Sequence, residues 1–428
     1  MPSFSIPLSG LAADSTALNT IANNLSNMNT TAFKSESTNF GDLFYQQIGM
    51  SGAGDPIQVG AGTKVASNAI SFTQGSINST GNATDVALNG SGFFVVGNGS
   101  GEYEYTRAGD FSLSSTGALL SSNGMNVMGY PAVNGVVNTN APLTAIDIPV
   151  GQVLQPKATT TMNMTANLDS ATAAGTQFPA EVTVYDSLGE SHVATVTYEP
   201  GAAANTWTYS VGLPASDFAN GVSVPVTGTM TFDANGNLST IQPTGAAAAT
   251  TVGTAPGDAQ SIALAFNGLT DNASGLNIQW NLLGSSGTPS ISQVDTASAC
   301  SATTQDGFAS GQYESFTVGA DGTVTASYSN GQKLNVGQLA LANVANLQGL
   351  ALQGDGDYLT TLASGTAAIG TAGTSGMGTL QDDALEASNV NISAEFSNLI
   401  IAQRAFEANA KSVTTFDTVT QDTINMVH

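Results

Sequence analysis

The sequence predicts a mixed fold that is mainly β, with α-helices at the N and C termini that pair as a coiled-coil-like core. Residues 11–40 and 379–428 contain neither Gly nor Pro, although the chain of 428 residues holds 48 Gly. Because Gly and Pro interrupt helices, their absence predicts a helix at each end. The body between these ends is rich in Gly, Ser, Thr and Asn, and its apolar residues alternate around turn residues, which predicts strands and hairpins.

Each predicted helix carries a stripe of apolar residues, which we call the apolar seam. Its residues recur at spacings of three and four, the pattern of a helix that packs lengthwise against another helix. An amphipathic helix lying on its own domain would show the same pattern. The seam comprises Phe4, Leu8, Leu11, Leu18, Ala22 and Leu25 near the start, and Ile392, Phe396, Leu399, Phe406, Ala410, Val413, Ile424 and Val427 near the end.

The two terminal helices have little support within one chain. A lone helix of this length is marginal in water. Asp14 is the single charged residue among residues 1–33, so surface ion pairs add little. We therefore expect both ends to gain order from neighbouring copies of the chain and to act in self-assembly. Polar residues on the other helix faces, such as Asn19, Asn398 and Thr420, are expected to form a nearly uncharged surface.

Hairpin signals follow one another along the body of the chain. Asp-Gly and Asn-Gly pairs between alternating apolar runs are strong markers of hairpin turns. We predict a strand at 92–96 and a series of turns that each join two strands. These turns lie at 108–110, 186–189, 233–237, 321–322 and 330–331.

Two junctions divide the chain into domains. Pro142, Pro149 and Pro156 punctuate the first junction, and residues 288–304 form the second. We predict a terminal helical domain, a connecting segment, an inner β-domain and an inserted outer β-domain. Their predicted bounds are 1–33 with 380–428, then 34–70, then 71–150 with 300–379, and finally 151–299.

Charge and composition exclude several classes of function. The net charge is −24, and no Lys or Arg occurs between Lys157 and Lys333, so the surface repels nucleic acid and anionic membranes. No apolar run approaches a membrane span, and the start lacks the features of a cleavable export signal. The single cysteine, Cys300, excludes an intrachain disulfide framework, and we expect it to be a small buried residue at the second junction. Such a chain suits an exported, extracellular β-protein.

No group of residues predicts an enzyme, a cofactor site or a metal site. His192 and His428 are the only histidines, and they lie far apart in the sequence. Residues 233–237 imitate the opening of a calcium loop, but the twelfth position is not Glu, so a hairpin turn is favoured. We interpret Asp355 and Asp357 as a loop entering a strand rather than as a catalytic carboxylate pair.

Arg107 and Arg404 are the only arginines of the chain, so their partners are informative. Arg404 follows Gln403, a polar interruption of the seam on the second helix. Asp14, or a carboxylate of a neighbouring copy, is a candidate partner for Arg404. A solvated arginine is the alternative.

Motifs at both ends and in the body match one known pattern. They are 9–11, 23–27 and 33–34 near the start, 384–390 and 395–411 near the end, and 88–94 with 105–111 in the body. With these motifs the chain resembles the bacterial flagellar rod and hook family, over roughly residues 1–150 and 300–428. Residues 305–307 and 328–332 are similar to the hook branch in particular. The signature positions are Asn23, Asn24, Asn27, Phe33, Lys34, Asn389, Glu395, Gln403, Arg404 and Asn409.

This resemblance implies a structural subunit of the flagellar hook. Members of the hook branch form a curved hollow tube of head-to-tail copies, which acts as a universal joint between rod and filament and as an export channel. The implied partners are further copies, the rod, hook cap and hook–filament junction proteins, and the flagellar export apparatus, with no nucleic acid and no membrane insertion. The implied location is extracellular, reached without a cleaved signal peptide. A distal rod protein and an extracellular adhesin-like β-protein are the alternatives.

The sequence departs from the family pattern at a few positions. Ala32 stands where a glycine usually precedes the Phe-Lys pair, and Phe406-Glu407 stands where Tyr-Gln is common. The second change conserves size. The first leaves the backbone geometry after the N-terminal helix unsettled, since glycine often marks a conformation that other residues avoid.

Overall fold

The computed structural model describes residues 4–52, 55–98 and 101–426, and it divides into two compact units. The first unit comprises Met1–Val150, Ser315–Ser327 and Lys333–His428, and the second comprises Gly151–Glu314 and Tyr328–Gln332. Strands dominate both units, and one α-helix from each end of the chain packs against the other. The predicted fold class is therefore confirmed.

The elements follow one another along the chain as two α-helices, two short 3-10 turns (Ala215–Asp217 and Leu347–Gly349) and many strands. The helices are α1 (Ser5–Ser26) and α2 (Ile392–Met426). The strands up to the end of the first segment of unit one are β1 (Glu36–Asp42), β2 (Tyr45–Met50), β3 (Pro56–Gly60), β4 (Thr63–Ile70), β5 (Ile77–Ser79), β6 (Val86–Asn89), β7 (Phe93–Gly97), β8 (Tyr103–Thr106), β9 (Ser112–Leu113), β10 (Leu119–Leu120), β11 (Asn126–Val133), β12 (Val136–Val137) and β13 (Thr144–Ala145). The next strands are β14 (Val153–Leu154), β15 (Thr161–Asp169), β16 (Phe178–Tyr185), β17 (Ser191–Pro200), β18 (Thr206–Gly212), β19 (Val226–Phe232), β20 (Leu238–Pro243), β21 (Thr250–Thr251), β22 (Ser261–Phe266), β23 (Leu276–Asn281), β24 (Ile291–Val294) and β25 (Ala299–Gln305). The last are β26 (Gly311–Val318), β27 (Thr323–Tyr328), β28 (Lys333–Leu339), β29 (Leu341–Asn343), β30 (Ala351–Gly354), β31 (Asp357–Leu359), β32 (Ala368–Gly370), β33 (Thr379–Asp382) and β34 (Ala384–Glu386).

Both terminal helices are shorter than the Gly- and Pro-free stretches predicted. Residues 36–40 lie in β1, which pairs with β4, and 379–386 form β33 and β34, which pair with β6 and β5. α1 ends at Ser26 and α2 begins at Ile392, so the terminal helices are also shorter than the predicted bounds of 1–33 and 380–428. A lack of helix breakers permits a helix without forcing one, and pairing with distant strands overrides the weak local preference.

The first unit is built on one antiparallel sheet with additional short ladders. Its central strands run in the order β28, β11, β7, β8, β31 and β30. The predicted strand at 92–96 corresponds to β7, and the predicted turn at 330–331 joins β27 to β28. Phe93, Tyr105 and Tyr358 are buried together in the core of this sheet.

The predicted hairpin around residues 108–110 is wrong. β8 pairs with β7 and β31, whereas β9 pairs with β10. The backbone carbonyl of Gly109 instead accepts a hydrogen bond from the N–H of Val86 at 2.9 Å. A Cβ at Gly109 would lie 1.8 Å from the Val86 oxygen, so only glycine allows the chain to pass this close to β6.

The second unit, which we call the insert, consists of two sheets around one hydrophobic core. One sheet has the strand order β16, β17, β18, β19, β20 and β21, and the other contains β22, β23, β15, β24 and β25. The predicted turns at 186–189 and 233–237 join antiparallel neighbours of the first sheet and are confirmed. Tyr198, Tyr209 and Trp280 are almost fully buried between the sheets.

The insert extends further along the chain than the predicted end at residue 299. β25 pairs with β15 over most of its length, and the compact unit continues to Glu314. Cys300 therefore lies within a strand of the insert rather than at a junction, and it is half-buried against the core rather than buried. Neither described helix combines the length and the hydropathy that crossing a bilayer requires.

Candidate functional site

The terminal helices α1 and α2 form an antiparallel pair. The ring centroids of Phe4 and Phe416 lie 6.0 Å apart in an edge-to-face contact. One helical length away, the side-chain amide of Asn24 donates to a carboxylate oxygen of Glu395 at 3.2 Å. Since residues near the start of α1 meet residues late in α2, the two chain ends run past each other in opposite directions.

A glycine sets the distance between the helices near the middle of the pair. A Cβ built on Gly10 would lie 2.6 Å from the side-chain nitrogen of Asn409. The same amide donates to the carboxylate of Asp14 at 2.8 Å. Gly10 therefore allows a close approach in which Asn409 reaches across to α1. Asp14 is thus bonded to Asn409, not to Arg404 as the sequence suggested.

We call the residues through which the two helices meet the pairing face. Most of them are small or polar, with Ile21 and Phe416 as the large apolar members, and α2 has no buried residue in its described part. The pairing face comprises Gly10, Asp14, Ala17, Ile21 and Asn24 on α1, and Glu395, Ala402, Ala405, Asn409 and Phe416 on α2.

Apart from Phe4, which contacts Phe416, the apolar seam does not form the contact between the two helices of one chain. Its positions follow the pairing face by one residue on both helices, and one residue turns a helix face by about 100°. On α1, Leu8 is 61% exposed and Ala22 is exposed, while three other seam leucines are half-buried. The two helices of one chain therefore pair beside the seam, and the expectation that the seam joins neighbouring copies stays a prediction. The physical reason for pairing beside the seam is that Gly10 and small alanines permit closer packing than the leucines would.

The same offset occurs on α2. The large seam residues Ile392, Phe396, Phe406 and Ile424 are exposed, and their neighbours on the pairing face are half-buried. The smaller set of Leu399, Ala410 and Val413 is half-buried. Val427, the last predicted seam residue, lies outside the described residues.

The hairpin of β1 and β4 supports the other side of α1. The amide of Asn24 donates to the carbonyl of Glu36 at 2.7 Å, and its oxygen accepts from the Glu36 N–H at 2.9 Å. The hydroxyl of Thr38 lies 3.0 Å from that of Thr20. A cavity of about 330 Å³ remains between α1, β1 and α2. Asn24 is therefore buried and joins α1 to β1 and α2, so it is not part of an exposed polar surface.

A buried cluster of three charged side chains fixes the chain just beyond the helices. The Lys34 ammonium lies 2.6 Å from one carboxylate oxygen of Glu386, and the Arg107 guanidinium lies 3.3 Å from the other. Glu386 also accepts the N–H of Gly75 at 2.8 Å, and Arg107 donates to the carbonyl of Gly90 at 2.6 Å. The cluster joins four segments that are far apart in sequence.

Burial sets the electrostatics of this cluster. It lowers the pKa of Lys34, against the opposing hydrogen bond and charge of Glu386. It likewise lowers the pKa of Arg107, again opposed by Glu386. Two buried cations thus share one carboxylate, so Glu386 is the group whose loss would leave the most uncompensated charge.

Asn389 holds the entry to α2 in the same way. Its oxygen accepts the N–H of Ser35 at 2.7 Å, and its amide donates to the carbonyls of Ser71 at 2.7 Å and Thr73 at 3.0 Å. One side chain therefore ties the C-terminal segment to two segments near the N terminus.

The signature positions separate into two groups. Asn24, Lys34, Asn389, Glu395 and Asn409 join the two chain ends through the bonds described above. Asn27 bonds locally at the end of α1 and Phe33 is half-buried, whereas Asn23, Gln403 and Arg404 are exposed.

Ala32 is the turn between α1 and β1, and its backbone has φ of +54°. Its N–H donates to the carbonyl of Glu386 at 2.8 Å, and its side chain is buried. The family pattern has glycine at this position for a physical reason, since this left-handed region disfavours a residue with a Cβ. The sequence therefore located a strained position correctly.

Sequence reasoning missed the roles of Glu386 and Arg107. Glu386 lies within the family motif at residues 384–390, but nothing in the spacing of that motif links it to Lys34. The signal that could have been used is the scarcity of basic residues, since the chain has only seven Lys and Arg in total. Basic residues are almost never buried without a partner, so two buried ones predict a shared carboxylate.

The remaining candidates for chemistry have structural roles. The carboxylate of Asp233 accepts the N–H groups of Asn235 and Asn237, as a hairpin turn requires. Asp357 begins β31, is buried and bonds to the amide of Asn123. Among the described residues, no group of three His, Cys, Asp or Glu side chains could hold a metal ion.

A second apolar surface lies on the hairpin of β2 and β3. Phe44 is 79% exposed, Met50 is 69% exposed, and Tyr45, Ile48 and Ile57 are also exposed. These two strands pair only with each other among the described strands. A two-stranded hairpin with bare apolar side chains is marginal by itself in water.

Profiles of known families match four parts of the chain, and residues 35–86 and 309–380 lie outside them. They are the "Flagella basal body rod protein" at residues 6–34, the "Flagellar hook protein FlgE/F/G D1 domain" at 87–167, the "Flagellar basal body protein FlaE D2 domain" at 154–308 and the "Flagellar basal body rod FlgEFG protein C-terminal" at 381–426.

The relatives described next match over nearly their whole length, and each is named flagellar hook protein FlgE. The flagellar hook protein FlgE of Escherichia coli K12 is 36% identical over 440 residues, covering 99% of each chain. That of Treponema pallidum is 34% identical over 472 residues, covering 98% of each chain. A crystal structure of Helicobacter pylori flagellar hook protein FlgE2 matches with a TM-score of 0.55 at 14% identity, covering 72% of this chain and all of that one. At this identity the likeness shows the fold alone.

Proposed function

Because the chain belongs to the flagellar hook protein FlgE family and is a structural subunit of the flagellar hook, we propose that its copies join through the apolar seam. The observation that carries this proposal is the one-residue offset on α1 and α2. Pairing within the chain uses mainly small and polar residues, which leaves exposed side chains such as Leu8, Phe396 and Phe406 for another copy. Burying a large apolar side chain contributes about 1.5–3 kcal/mol, so a few per helix suffice for a stable contact.

The apolar hairpin of β2 and β3 is proposed as a further contact between copies. It extends from the same unit as the helices and exposes Phe44, Ile48 and Met50. A patch of this kind on a soluble protein marks an interaction site. Together the seam and the hairpin give each copy two separate apolar surfaces. Contacts through different surfaces generate an open, head-to-tail helical assembly.

The further properties of the hook are proposed by analogy with its family. We propose a curved tube that acts as a universal joint and export channel, with the rod, hook cap and junction proteins at its ends. We propose that the chain reaches the cell exterior through the flagellar export apparatus without a cleaved signal. The chain is a flagellar component and its family is structural, which supports these proposals without supplying the individual contacts.

The exposed polar residues of the helices are proposed to face the channel. Asn19, Asn23 and Gln403 are exposed and uncharged. A surface of short neutral groups would hold passing unfolded chains only weakly. The two alternatives from the sequence are not favoured, because relatives named as hook proteins match over nearly the whole length, the insert included.

A matched pair of substitutions tests the proposal. Leu8 is 61% exposed on the seam, and Leu188 is 62% exposed on a turn of the insert. Leu8→Asp should abolish tube formation by purified protein because it places a charge in an apolar contact between copies. Leu188→Asp makes the same chemical change at equal exposure and should leave tubes intact. Negative-stain microscopy and sedimentation would report both outcomes.

Monomer stability separates assembly from folding in this test. Each substitution lies on the surface and should change the free energy of unfolding by less than about 0.5 kcal/mol. Normal tubes from Leu8→Asp would show that the seam is not the contact between copies.

A further inference from the structure

The insert contains a buried cluster of ionisable side chains that self-assembly does not use. His192, near the start of β17, is almost completely buried. Its Nδ1 atom lies 2.9 Å from a carboxylate oxygen of Asp217, and its Nε2 atom lies 3.4 Å from one of Asp186. Asp271 lies beside Asp186. One imidazole therefore contacts two carboxylates, and a third lies beside one of them.

The three carboxylates come from three different elements. Asp186 lies in the turn between β16 and β17, where its other oxygen accepts the N–H groups of Leu188 and Glu190 at 2.9 Å each. Asp217 ends the 3-10 turn that follows β18. Asp271 lies in the loop between β22 and β23, where it accepts the N–H of Ala273 at 3.0 Å.

This arrangement connects the two sheets of the insert. β16, β17 and β18 belong to one sheet, whereas β22 and β23 belong to the other. The loop before β23 also donates a backbone N–H from Thr270 to the carbonyl of Asp217 at 2.9 Å. His192 thus lies where the ends of both sheets meet.

No other basic side chain of the insert can compensate these carboxylates. Lys157 is the only Lys or Arg in the sequence of this unit, and it lies 3.0 Å from Asp306. The charge of the cluster therefore depends on whether His192 carries one proton or two. Glu190 contributes a backbone N–H, and its side chain is exposed.

We propose that His192 is a pH-sensitive clamp that holds one end of the insert together while its ring is doubly protonated. Both ring nitrogens then donate to a carboxylate. When the ring loses a proton, one nitrogen presents a lone pair to a carboxylate, and the carboxylates of Asp186 and Asp217 lose the cation between them. This inference concerns the stability of the insert and stands independently of how copies assemble.

The direction of the pH dependence follows from linkage. Burial lowers the pKa of His192, but the hydrogen bonds and charges of Asp217 and Asp186 outweigh it, so the pKa is raised above 6.5. A raised pKa of the folded state means that the contribution is complete below the unfolded value and is lost as pH rises through the folded value. Burial raises the pKa of Asp186, but its neighbours lower it overall, so its contribution is lost in acid instead.

The full-length chain provides its own reporter for the insert. Trp207 and Trp280 are the only tryptophans of the chain, and both are buried in the core of the insert. We would follow their fluorescence during urea unfolding between about pH 6 and about pH 9, which spans the titration of a raised histidine pKa. The midpoint should fall as pH rises. In His192→Gln it should be low throughout and independent of pH over this range.

A second variant and a direct titration of the ring test the proposal even if His192→Gln does not fold. Asp217→Asn removes one charge that stabilises the protonated ring, so the pH at which the wild-type midpoint falls should shift downward. In a His428→Ala background, NMR would follow the single remaining imidazole, which should titrate above 6.5. A midpoint independent of pH in the wild type, or titration of His192 at or below 6.5, would overturn the proposal.

Discussion

The terminal helices and the insert obtain their order in opposite ways. The insert buries large side chains such as Tyr198, Tyr209 and Trp280 in one core shared by two sheets. The helix α2 runs for 35 residues and has no buried residue among those described, while its large apolar side chains are exposed. The insert therefore has its own hydrophobic core, whereas the helix pair leaves exposed the apolar side chains that we propose join the copies.

The largest effect is expected from removing the Glu386 carboxylate, which binds Lys34 and Arg107 next to the terminal helices. Glu386→Gln leaves Lys34 and Arg107 buried without a counter-charge. We expect the first unit to lose about 3–5 kcal/mol in its free energy of unfolding. Calorimetry should show its transition at a lower temperature, with the transition monitored by tryptophan fluorescence unchanged.

Glu102→Gln is the matched control for this prediction. Glu102 is exposed in the same unit and makes no ion pair among the described residues. The same change of side chain should therefore shift stability by less than about 0.5 kcal/mol. Equal effects at both positions would mean that the buried cluster does not hold the chain ends.

A smaller effect is expected from the close approach of the two helices. Gly10→Ala places a Cβ against the amide of Asn409, and we expect a loss of about 1–3 kcal/mol because this amide must move away and give up its hydrogen bond to Asp14. Gly49→Ala has open space around its Cβ and serves as the control. Thermal unfolding of the helices followed by circular dichroism at the helix band should distinguish the two variants. Unchanged melting of Gly10→Ala would show that the pair adapts without loss.

The stabilities of the first unit and the insert are expected to change over different pH ranges. Burial raises the pKa of Asp357 in the first unit to about 6. A raised carboxyl pKa means that the folded state binds the proton more tightly, so stability falls as pH rises from about 4 to about 6. Asp357→Asn should remove this dependence and stabilise the first unit by about 1–2 kcal/mol at neutral pH. Retention of the dependence in the variant would assign it to another group.

The smallest expected effect concerns the turn after α1. Ala32→Gly relieves the left-handed backbone at φ of +54°, which costs a residue with a Cβ roughly 1 kcal/mol. Part of this gain is offset because glycine has more freedom in the unfolded chain. We expect a net gain below about 1 kcal/mol in calorimetry of the first unit. A clear loss would show that the buried Ala32 methyl group contributes more through packing than the strain costs.

The fold class and the two insert turns at 186–189 and 233–237 could be predicted from the sequence because they depend on local patterns. Alternating apolar residues around Asp186 and Asp233 determine both the strand faces and the turns between them. The turn predicted at Gly109 was wrong because this glycine serves a close backbone approach to Val86 instead. Glycine in sequence does not distinguish these two uses.

The candidate site was predictable as a set of residues but not as a set of contacts. Apolar spacing located the seam, yet the helices of one chain pair one residue earlier, because Gly10 and the alanines permit closer packing. The partners Lys34 and Glu386 lie 352 residues apart, so only the tertiary fold brings them together. The grouping of His192 with carboxylates likewise depends on three loops that no local pattern relates.

The pairing face and the apolar seam lie nearer to a quarter turn than to a half turn apart around each helix. Helices that contact neighbours on opposite faces form a flat layer. Helices whose two contact faces lie at such an angle add each neighbour at an angle to the last, so repeated addition gives a curved layer. If copies join through the seam as proposed, the placement of small residues one position ahead of large ones would give the assembly its curvature, although neither helix has to bend.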